Sequence, residues 1–416
     1  MSEWKEVVLE DITSRIGDGL HGTPKYDTNG DYFFINGNNL KDGKILIKPD
    51  TKKVTKEEAI KHERPLSDRT ILLSINGTIG NLAFYNYEKC MLGKSACYIN
   101  INEDVSVPFM YYHFLSEEFQ LYIEMIATGT TIPNVPLKGI RQYTFNLPST
   151  PEQNAIAEVL SSLDDKIDLL HRQNQTLEQM AETLFRQWFV EEADEGWDKG
   201  VLGDYIFTNK NSVRKDYPNL EIEYLDTGSL TTGRWGNFQP FLLSEAPSRA
   251  KRLVKHNDIL YSTVRPNQLH YGIVRNPIEN LVVSTGFCVI TCHSLSPYFV
   301  YYYLTDKGMT EYLHSIAEGS TSAYPSLKPS DIEALEFSIA PSDVLEKFDR
   351  FVDDAWKRIE SNQTQIRTLT ALRVTLLPKL MSGEVRVQSQ RDATFVGNNS
   401  TTNPSSVGAA QKETHG

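Results

Sequence analysis

The sequence predicts a mixed α/β (α+β) fold in which two similar domains are separated by two long helices that pack as an antiparallel coiled coil. Three observations lead to this prediction. Motifs in the first half of the chain recur in the second half, strand-like segments open each half, and each half ends in a long segment with the apolar spacing of a coiled coil.

The repeat is visible as matching motifs at a nearly constant spacing. Residues 127–131 (Ala-Thr-Gly-Thr-Thr) recur as residues 317–321 (Ala-Glu-Gly-Ser-Thr), an offset of 317 − 127 = 190. Residues 71–74 recur as residues 259–262, an offset of 259 − 71 = 188. Because the offset drifts by only a few positions, we expect one shared architecture with small loop insertions.

Within each half, strand-like segments come first and a helical segment follows. Short runs of β-branched and aromatic residues, such as 71–75 and 281–291, are bounded by Gly, Asn and Asp. Helical segments are predicted near 108–127 and 298–317, and a proline then precedes each long helix. The sequence therefore predicts a strand-rich domain before each long helix.

The two long helices are the clearest physical signal in the sequence. Apolar residues alternate steps of three and four over residues 156–188 and again over 345–380, which is the period of a coiled-coil seam. Since each helix has one apolar stripe, we expect the two stripes to pack against each other; the alternative is that each helix packs on its own domain. Asn174 and Asn362 lie at seam positions, where a polar residue can fix the register.

These patterns set the predicted domain boundaries. The order is a first domain, a first long helix, a second domain, a second long helix and a disordered tail: 1–150, 151–192, 193–340, 341–387 and 388–416. Disorder is expected in the last segment because it is rich in Ser, Thr, Asn, Gly and Gln and has almost no large apolar residues.

Composition and charge narrow the class of protein. The net charge of −12 opposes DNA binding unless basic residues gather on one face or a partner supplies them. The first residues lack the basic and apolar regions of a signal peptide, and no apolar run reaches eighteen residues, so we expect a cytoplasmic chain without a membrane span. Four cysteines in 416 residues do not indicate a disulfide scaffold.

Motifs of catalysis are absent or lie in the wrong context. Residues 17–22 fit G-x-G-x-x-G, but loop residues follow them rather than a helix. The chain has no Pro-Pro dipeptide and so lacks the [DN]-P-P-[YF] signature of amino-methyltransferases. Cys288 and Cys292 invite a zinc interpretation, yet Cys97 is the repeat partner of Cys288 in a similar strand, which favours buried core thiols. We therefore predict no catalytic residue and no metal site.

Several motifs resemble those of one family, the specificity subunits of type I restriction-modification enzymes. The first long helix begins with Pro-Glu-Gln at 151–153 and ends with Leu-Phe-Arg-Gln-Trp-Phe at 184–189, which resembles the central conserved region of that family. Residues 376–386 (Leu-Leu-Pro-Lys-Leu-Met-Ser-Gly-Glu-Val-Arg) resemble its distal conserved region, and residues 129–134 are similar to the end of its recognition domains. The resemblance covers about residues 1–387.

The resemblance implies a function and a set of partners. Each domain would be a target-recognition domain that reads one half of a bipartite site in double-stranded DNA, while the coiled coil fixes the spacer. The chain would need no cofactor; two methyltransferase (modification) subunits would bring S-adenosylmethionine and flip the target adenine, and motor-nuclease (restriction) subunits would use ATP and Mg²⁺. One departure is that the second helix begins Pro-Ser-Asp-Val at 341–344, without the Glu-Gln pair.

Two other classes of function remain open at this point. One is a non-enzymatic scaffold whose duplicated domains bind protein or carbohydrate while the coil only spaces them. The other is a standalone DNA methylase, which the missing signature argues against.

Candidate DNA-binding residues are donors and acceptors on loops, because Arg and Lys suit guanine whereas Asn and Gln suit adenine. In the first domain they are His21, Thr23, Lys25, Tyr26, Asn36, Asn38, Asn39, Asn76, Thr78, Lys94, Thr130 and Thr131. In the second domain they are Arg234, Trp235, Arg265, Asn267, Thr285, Ser320, Thr321 and Tyr324. For each, a solvated loop residue is the alternative. Candidates for docking a methyltransferase subunit are Phe185 and Phe189, for which packing in the core is the alternative.

Overall fold

The computed structural model describes residues 4–129, 131–319 and 325–387. Within these ranges, no helix is both long and apolar enough to span a bilayer. The chain divides into two compact units. Unit 1 contains the residues up to Asp168 and those from Gln365 onward, and unit 2 is Leu169–Thr364. The division falls inside the two long helices, so each of these helices contributes one part to each unit. The predicted disordered tail, 388–416, lies outside the described residues.

Unit 1 is built on small sheets and short helices. Its strands are β1 (Lys5–Val8), β2 (Thr13–Asp18), β3 (Tyr32–Ile35), β4 (Leu40–Lys41), β5 (Lys44–Ile45), β6 (Lys53–Val54), β7 (Thr70–Ser74), β8 (Leu82–Phe84), β9 (Cys90–Leu92), β10 (Ala96–Ile101) and β11 (Thr144–Leu147). Its short helices are α1 (Lys56–Lys61), α2 (Val107–Leu115), α3 (Glu117–Ile126) and α4 (Leu137–Arg141). The main sheet has the order β2-β10-β7-β8, beside a β6-β3-β9 sheet, a β4-β5 hairpin and a β1-β11 pair.

The first long helix, α5 (Thr150–Arg186), follows and continues as a π-helical turn, Gln187–Glu191. The strands of unit 2 are β12 (Lys199–Val201), β13 (Ile206–Thr208), β14 (Glu221–Leu225), β15 (Leu230–Thr231), β16 (Arg234–Trp235), β17 (Gln239–Leu242), β18 (Ala250–Leu253), β19 (Ile259–Ser262), β20 (Tyr271–Ile273), β21 (Leu281–Ser284), β22 (Phe287–Cys292) and β23 (Glu336–Ser338). The helices are α6 (Pro297–Thr305), α7 (Lys307–Glu318), α8 (Pro329–Glu333) and the second long helix, α9 (Ser342–Met381).

The sheets of unit 2 repeat those of unit 1. The order β13-β22-β19-β20 matches β2-β10-β7-β8, and the β15-β16 and β12-β23 pairs match β4-β5 and β1-β11. The second sheet, β17-β14-β21-β18, contains a parallel β14-β21 pair, as β3-β9 is parallel in unit 1. The predicted mixed α/β fold and its internal repeat are confirmed.

The central strands are apolar on both faces because each sheet lies between two cores. In β7, Ile71 and Leu73 belong to the core that the helices cover, whereas Leu72 points into the core of the second sheet. In β19, Tyr261 belongs to the core that the helices cover, and Leu260 belongs to the core of the second sheet. Since side chains alternate along a strand, two cores on opposite faces require an unbroken apolar run.

Two predicted segments are interrupted in the structure. The run 281–291 forms two strands, because the Thr285-Gly286 turn separates β21 from β22. The helical segment 108–127 forms two helices, because the side chain of Ser116 accepts a hydrogen bond from the backbone of Phe119 and starts α3. Asp306 breaks the matching segment of unit 2 in the same manner. Capping residues inside an apolar pattern set both helix breaks.

Within each unit the long helices pack antiparallel, as predicted. In unit 1, Ile156 and Leu160 of α5 share a buried cluster with Leu380 and Met381 of α9. This cluster also contains sheet residues, so the stripes pack on their own domain as well as on each other. The two packing alternatives are therefore both realised in this unit.

In unit 2, the two seam asparagines meet. Asn362 Nδ2 donates to Asn174 Oδ1 at 2.8 Å, and both side chains are buried. This hydrogen bond can form only in one register of the two helices. The polar seam position predicted from the heptad pattern thus has a partner on the facing helix.

The Glu-Gln pair at the start of α5 has a structural role in unit 1. Gln153 is buried, accepts from Ser106 N at 2.8 Å and donates to Pro148 O at 2.9 Å. Glu152 accepts from Trp4 Nε1 at 3.1 Å and from Arg386 Nη1 at 2.7 Å. The pair therefore joins the helix to the first and last segments of unit 1.

Candidate nucleic-acid interface

Loops of unit 1 that carry candidate residues converge at one end of its sheets. Ile75 N donates to Ser95 O at 3.0 Å, and Val135 N donates to Ile75 O at 2.8 Å. These two bonds join the loops 75–80, 93–95 and 131–136. Asn76, Lys94 and Thr131 are thereby brought to neighbouring loops, although they are far apart in the sequence.

The Asn-rich loop after β3 joins the same group. Ser95 Oγ donates to Asn36 Oδ1 at 2.9 Å and accepts from Gly37 N at 2.9 Å. The loop after β2 also reaches this place, because Leu20 N donates to Leu92 O at 2.8 Å. The structure thus assembles five loops of unit 1 into one surface, the readout loops of unit 1.

The DNA-binding candidates of unit 1 differ in solvent exposure. The exposed ones are His21, Thr23, Lys25, Tyr26, Asn38, Thr78, Lys94 and Thr131. Asn36 and Asn76 are half-buried, and Asn76 Nδ2 donates to Asn134 Oδ1 at 3.1 Å. Thr130 lies outside the described residues.

Asn39 is an interior residue of its loop, and the structure removes it from the candidates. It is 4% exposed, its Oδ1 accepts from Asn36 N at 3.0 Å, and its Nδ2 donates to Leu46 O at 2.9 Å. Both ends of the amide are therefore used inside the protein. The neighbouring Asn38 is exposed, and a tight 3₁₀ turn, Gly37–Asn39, separates the two environments.

The first loop carries two candidates with neighbours of their own. His21 Nε2 lies 2.6 Å from Asp18 Oδ2, and the imidazole is 69% exposed. Tyr26 is 47% exposed and packs edge-to-face on Phe34 with ring centroids 5.9 Å apart. A contact with a carboxylate and an aromatic contact hold these side chains at the surface without burying them.

In unit 2, two corresponding backbone hydrogen bonds join the loops that are equivalent to those of unit 1. Thr263 N donates to Gly286 O at 2.9 Å, and Leu327 N donates to Thr263 O at 2.8 Å. Thr263, Gly286 and Leu327 are the repeat partners of Ile75, Ser95 and Val135 at offsets of 188, 191 and 192.

These bonds bring Arg265, Asn267 and Thr285 onto neighbouring loops, which we call the readout loops of unit 2. Arg265 and Asn267 are exposed and Thr285 is half-buried. The candidates Ser320, Thr321 and Tyr324 lie outside the described residues.

Arg234 and Trp235 lie on the β15-β16 hairpin beside α5. Burial raises the pKa of Glu178 in α5, and the nearby charge of Arg234 opposes that rise. Trp235 is half-buried and packs edge-to-face with Phe238. The matching hairpin of unit 1 behaves similarly, because Lys44 Nζ lies 2.9 Å from Asp168 Oδ1 of α5. Arg234 therefore lies near α5, and its exposed side chain stays a candidate for DNA binding.

The docking candidates at the end of α5 are mostly inside unit 2. Phe185 is 2% exposed, with its ring 5.6 Å from Phe299 and 6.0 Å from Phe348. The ring of Phe189 lies 5.0 Å from Phe299 and 5.1 Å from Phe348, and this side chain is half-buried. The structure thus places Phe185 in the core, which corrects its assignment to a docking surface.

The cysteines have the environment of core residues. Cys97 and Cys288 are fully buried on the equivalent strands β10 and β22. Burial raises the pKa of the Cys288 and Cys292 thiols to about 12, which keeps both protonated. In the part of the chain that the structure describes, no group of three or more His, Cys, Asp or Glu side chains could hold a metal ion.

Sequence reasoning missed a group of basic residues in unit 2. Four cations lie within residues 249–255, and the backbone of Arg249 accepts from Thr285 N at 2.8 Å. The signal was a cluster of like charges in a chain with a net charge of −12.

Comparisons with known proteins fit this architecture. The family described as "Type I restriction modification DNA specificity domain" matches residues 1–179. The type I restriction enzyme MjaIX specificity subunit of Methanocaldococcus jannaschii is 29% identical over 392 residues, which cover 88% of this chain and 86% of that protein. The HindI specificity subunit of Haemophilus influenzae is 22% identical, with 92% of this chain and all of that protein covered.

A solved structure shares the fold across nearly the whole chain. The type I restriction-modification S subunit from M. genitalium aligns with a TM-score of 0.60 at 17% identity, and the alignment covers 91% of this chain and 96% of that one. Together with the family match and the named relatives, this shows that the chain is similar over most of its length to the type I restriction-modification specificity subunits.

Proposed function

We propose that each unit reads one half of a bipartite DNA site and that the paired long helices fix the spacer between the halves. The main support for this proposal is that the readout loops are duplicated. Two corresponding backbone hydrogen bonds join them in each unit. A scaffold with identical ligands would repeat its side chains as well as its backbone. Here the backbone arrangement repeats while the exposed side chains do not.

The different side chains support two different half-sites. Asn76 and Lys94 of unit 1 have Val264 and Thr285 as their repeat partners, at offsets of 188 and 191. An amide suits adenine and an ammonium suits guanine, whereas a valine and a threonine offer apolar contact or a single hydroxyl. Two loop sets with unlike donors are suited to unlike base sequences.

The long helices supply a spacer of defined length. The 37 residues of α5 correspond to about 55 Å at about 1.5 Å per residue. The buried pair of Asn174 and Asn362 favours one register, because another register would leave both amides without a partner. A fixed register gives one spacing rather than several.

We assign the catalytic work to partner subunits. Two methyltransferase subunits would dock on this chain and supply S-adenosylmethionine, and restriction subunits would supply the ATP- and Mg²⁺-dependent steps. Because Phe185 is buried, half-buried Phe189 and the exposed neighbour Val190 are what the end of α5 offers for docking. A DNA target in the chromosome also implies a cytoplasmic location.

The proposal is tested by mapping adenine methylation across the genome with and without the gene. We expect one bipartite motif to lose its methylation when the gene is absent. Affinity purification of the full chain should also recover a methyltransferase subunit with the [DN]-P-P-[YF] motif. An unchanged methylation map, or DNA affinity that does not depend on salt, would support the scaffold instead.

The spacer is tested by inserting one heptad into α5 after Gln175 and one into the facing part of α9. A heptad preserves both seams and adds about 10 Å. We expect the gap in the motif to lengthen by at most about three base pairs, at about 3.4 Å per base pair, with both half-sites unchanged. A heptad in α5 alone is the control, which should disrupt the pairing. Altered half-site bases in the double insertion would refute the spacer role.

A further inference from the structure

Two separated segments of unit 2 combine into one positively charged surface. Residues 209–217 run antiparallel beside β18: Val213 N donates to Lys251 O at 2.9 Å, and Leu253 N donates to Asn211 O at 3.2 Å. Six exposed cations, which we call the basic strip, lie on residues 209–217 and on β18 with its flanking residues: Lys210, Arg214, Lys215, Arg249, Lys251 and Lys255.

The basic strip is strongly charged for this protein. Residues 209–217 and 247–256 contain seven Lys or Arg and one Asp, a local balance of 7 − 1 = +6 in a chain whose net charge is −12. β18 has no counterpart in the second sheet of unit 1, because β6 pairs with β3 as β17 pairs with β14, whereas β18 pairs with β21. The positive surface is therefore a property of unit 2 and not of the repeated fold.

These cations are not neutralised within the described part of unit 2. Other cations there have carboxylate partners: Arg275 lies 2.6 Å from Glu360, and Lys347 lies 3.1 Å from Asp343. None of the six side-chain cations lies within 4 Å of a described carboxylate, and Lys210 sits over the ring of Phe207 instead. Lys255 contacts Asp258 only through its backbone N–H, which donates to Oδ2 at 2.7 Å. Uncompensated like charges repel one another, so the strip favours an anionic ligand.

The strip leads to the readout loops of unit 2. Ala250 of β18 pairs with Ser284 of β21, and Arg249 O accepts from Thr285 N at 2.8 Å. Thr263 joins the next residue, Gly286, to the rest of these loops. At about 3.3 Å per extended residue, 249–255 spans up to about 20 Å, comparable to the rise of about six base pairs.

We infer that the basic strip is the phosphate-contacting face of unit 2, which holds the DNA backbone beside the loop of Thr285 without reading bases. This inference rests on the proposed function and adds to it the residues that supply sequence-independent affinity. It also explains how an acidic chain binds DNA, because the cations are concentrated where the duplex lies.

The test uses the full chain assembled with its methyltransferase subunits. Arg249→Gln, Lys251→Gln and Lys255→Gln are combined in one variant. The matched control combines Lys199→Gln, Lys307→Gln and Lys347→Gln, which remove the same charge from exposed positions on β12, α7 and α9. Affinity is measured from 50 to 200 mM salt on a 40-base-pair duplex with the mapped motif and on one without it.

We expect the strip variant to reduce the slope of log affinity against log salt by about 2.7, since each phosphate contact contributes about 0.9. The ratio of variant to wild-type dissociation constants should then be about 40-fold larger at 50 mM than at 200 mM salt. Both duplexes should lose affinity equally, and the control should keep the wild-type slope. A second variant combines Lys210→Gln, Arg214→Gln and Lys215→Gln, whose positions lie outside β18. It replaces the first variant in the test if the first variant lowers the melting temperature.

The outcomes separate the inference from the proposed function. If wild type prefers the motif and both strip variants keep its salt slope, the inference is wrong and the proposed function stands. If the wild-type complex prefers neither duplex, the proposed function fails and the inference fails with it. A changed motif preference with an unchanged slope would make the strip residues base readers and would also overturn the inference.

Discussion

The two units secure their sheets to the long helices with different chemistry at equivalent positions. In unit 1, Tyr112 OH donates to Asp164 Oδ2 at 2.9 Å, and Arg373 Nη1 donates to Asp164 Oδ1 at 2.7 Å. The triad joins α2, α5 and α9 through one carboxylate. It is only partly buried, with side-chain exposures of 27% for Asp164 and 37% for Arg373.

The equivalent positions of unit 2 are filled by packing. Tyr302, Trp356 and Ala181 match Tyr112, Asp164 and Arg373 at offsets of 190, 192 and 192, and all three are buried. An ion pair and an apolar contact of similar volume are often interchangeable. The difference therefore shows that the fold requires well-packed side chains at these positions and not a particular charge.

Unit 2 has its polar anchor at a different place, next to a strand of the main sheet. Arg275 follows β20, its Nε donates to Glu360 Oε1 at 2.6 Å, and its Nη1 donates to Asn257 Oδ1 at 3.0 Å. A further contact, to Asp353, brings a second carboxylate of α9 into the group. The Arg275 side chain is 9% exposed, which makes this anchor drier than the triad of unit 1.

The largest effect is expected from Arg275→Met. Removing the buried guanidinium leaves Glu360 with Asn276 and Asp353 with Tyr298 and Lys357 as the remaining partners. Because the guanidinium is lost from a buried position, we expect unit 2 to lose about 3 kcal/mol of unfolding free energy. Urea unfolding, with amide exchange followed in β19 and β20, measures the loss. Lys347→Gln breaks an exposed pair and should change stability by less than about 0.5 kcal/mol. A loss for Arg275→Met as small as that of the control would show that the anchor is dispensable.

The second largest effect is a pH dependence of stability that we expect from His113 of unit 1 but not from Tyr303, the equivalent residue in unit 2. His113 is 2% exposed beside Phe145, and burial lowers its pKa to about 3. The unfolded chain takes up a proton near pH 6.5, so this contribution is complete above that pH and is lost as the pH falls toward 3. We expect unit 1 to lose about 2 kcal/mol between pH 7 and pH 5.

Paired variants check this difference between the units. His113→Phe should flatten the pH dependence of the unfolding free energy between pH 5 and 7. Tyr303→Phe should leave it unchanged, because burial raises the pKa of Tyr303 to about 12 and the hydroxyl does not titrate in that range. Parallel curves for wild type and His113→Phe would assign the acid sensitivity to other groups.

A third, smaller effect tests whether the triad of unit 1 can be replaced by packing. Arg373→Leu alone should cost about 1 kcal/mol, a value reduced by the partial exposure of the pair. Arg373→Leu combined with Asp164→Leu should return stability to within about 0.5 kcal/mol of wild type. The double-mutant cycle measures this coupling. Losses that simply add would mean that unit 1 needs the charges themselves.

The smallest effect is expected at the start of α5. Arg386 binds Glu152 and lies over the ring of Trp4, 5.0 Å from its centroid, but it is 31% exposed. Arg386→Gln should lower the unfolding free energy of unit 1 by about 0.5 kcal/mol, because the pair is partly exposed. Asp343→Asn, near the start of α9, breaks only an exposed pair and should have no measurable effect in chemical denaturation. Equal changes in unfolding free energy for the two variants would show that the starts of α5 and α9 do not differ in stability.

The parts of the fold that were predictable are those encoded in local periodicity. The heptad pattern identified both long helices and placed Asn174 and Asn362 in the seam, because a 3.5-residue repeat has few other physical explanations. The apolar pattern over 281–291 predicts one strand, since a Thr-Gly turn of two residues does not interrupt it. Caps such as Ser116 were missed for the same reason.

The candidate site was less predictable because burial depends on tertiary contacts. Asn38 and Asn39 are adjacent and chemically identical, yet only Asn38 is exposed. Phe185 fits a docking residue as well as a core residue until Phe299 is placed beside it. The basic strip joins segments more than thirty residues apart, and only strand pairing makes it one surface.

The central claim is that each unit reads its own half-site, and unit-specific substitutions test it most directly. Adenine methylation would be mapped in cells that express Asn76→Ala with Lys94→Ala, or Arg265→Ala with Thr285→Ala. Each readout contact should discriminate bases by about 1–3 kcal/mol, so each variant should relax one half of the motif and leave the other half and the gap intact. If either variant relaxed both halves together, separate readout by two units would be contradicted.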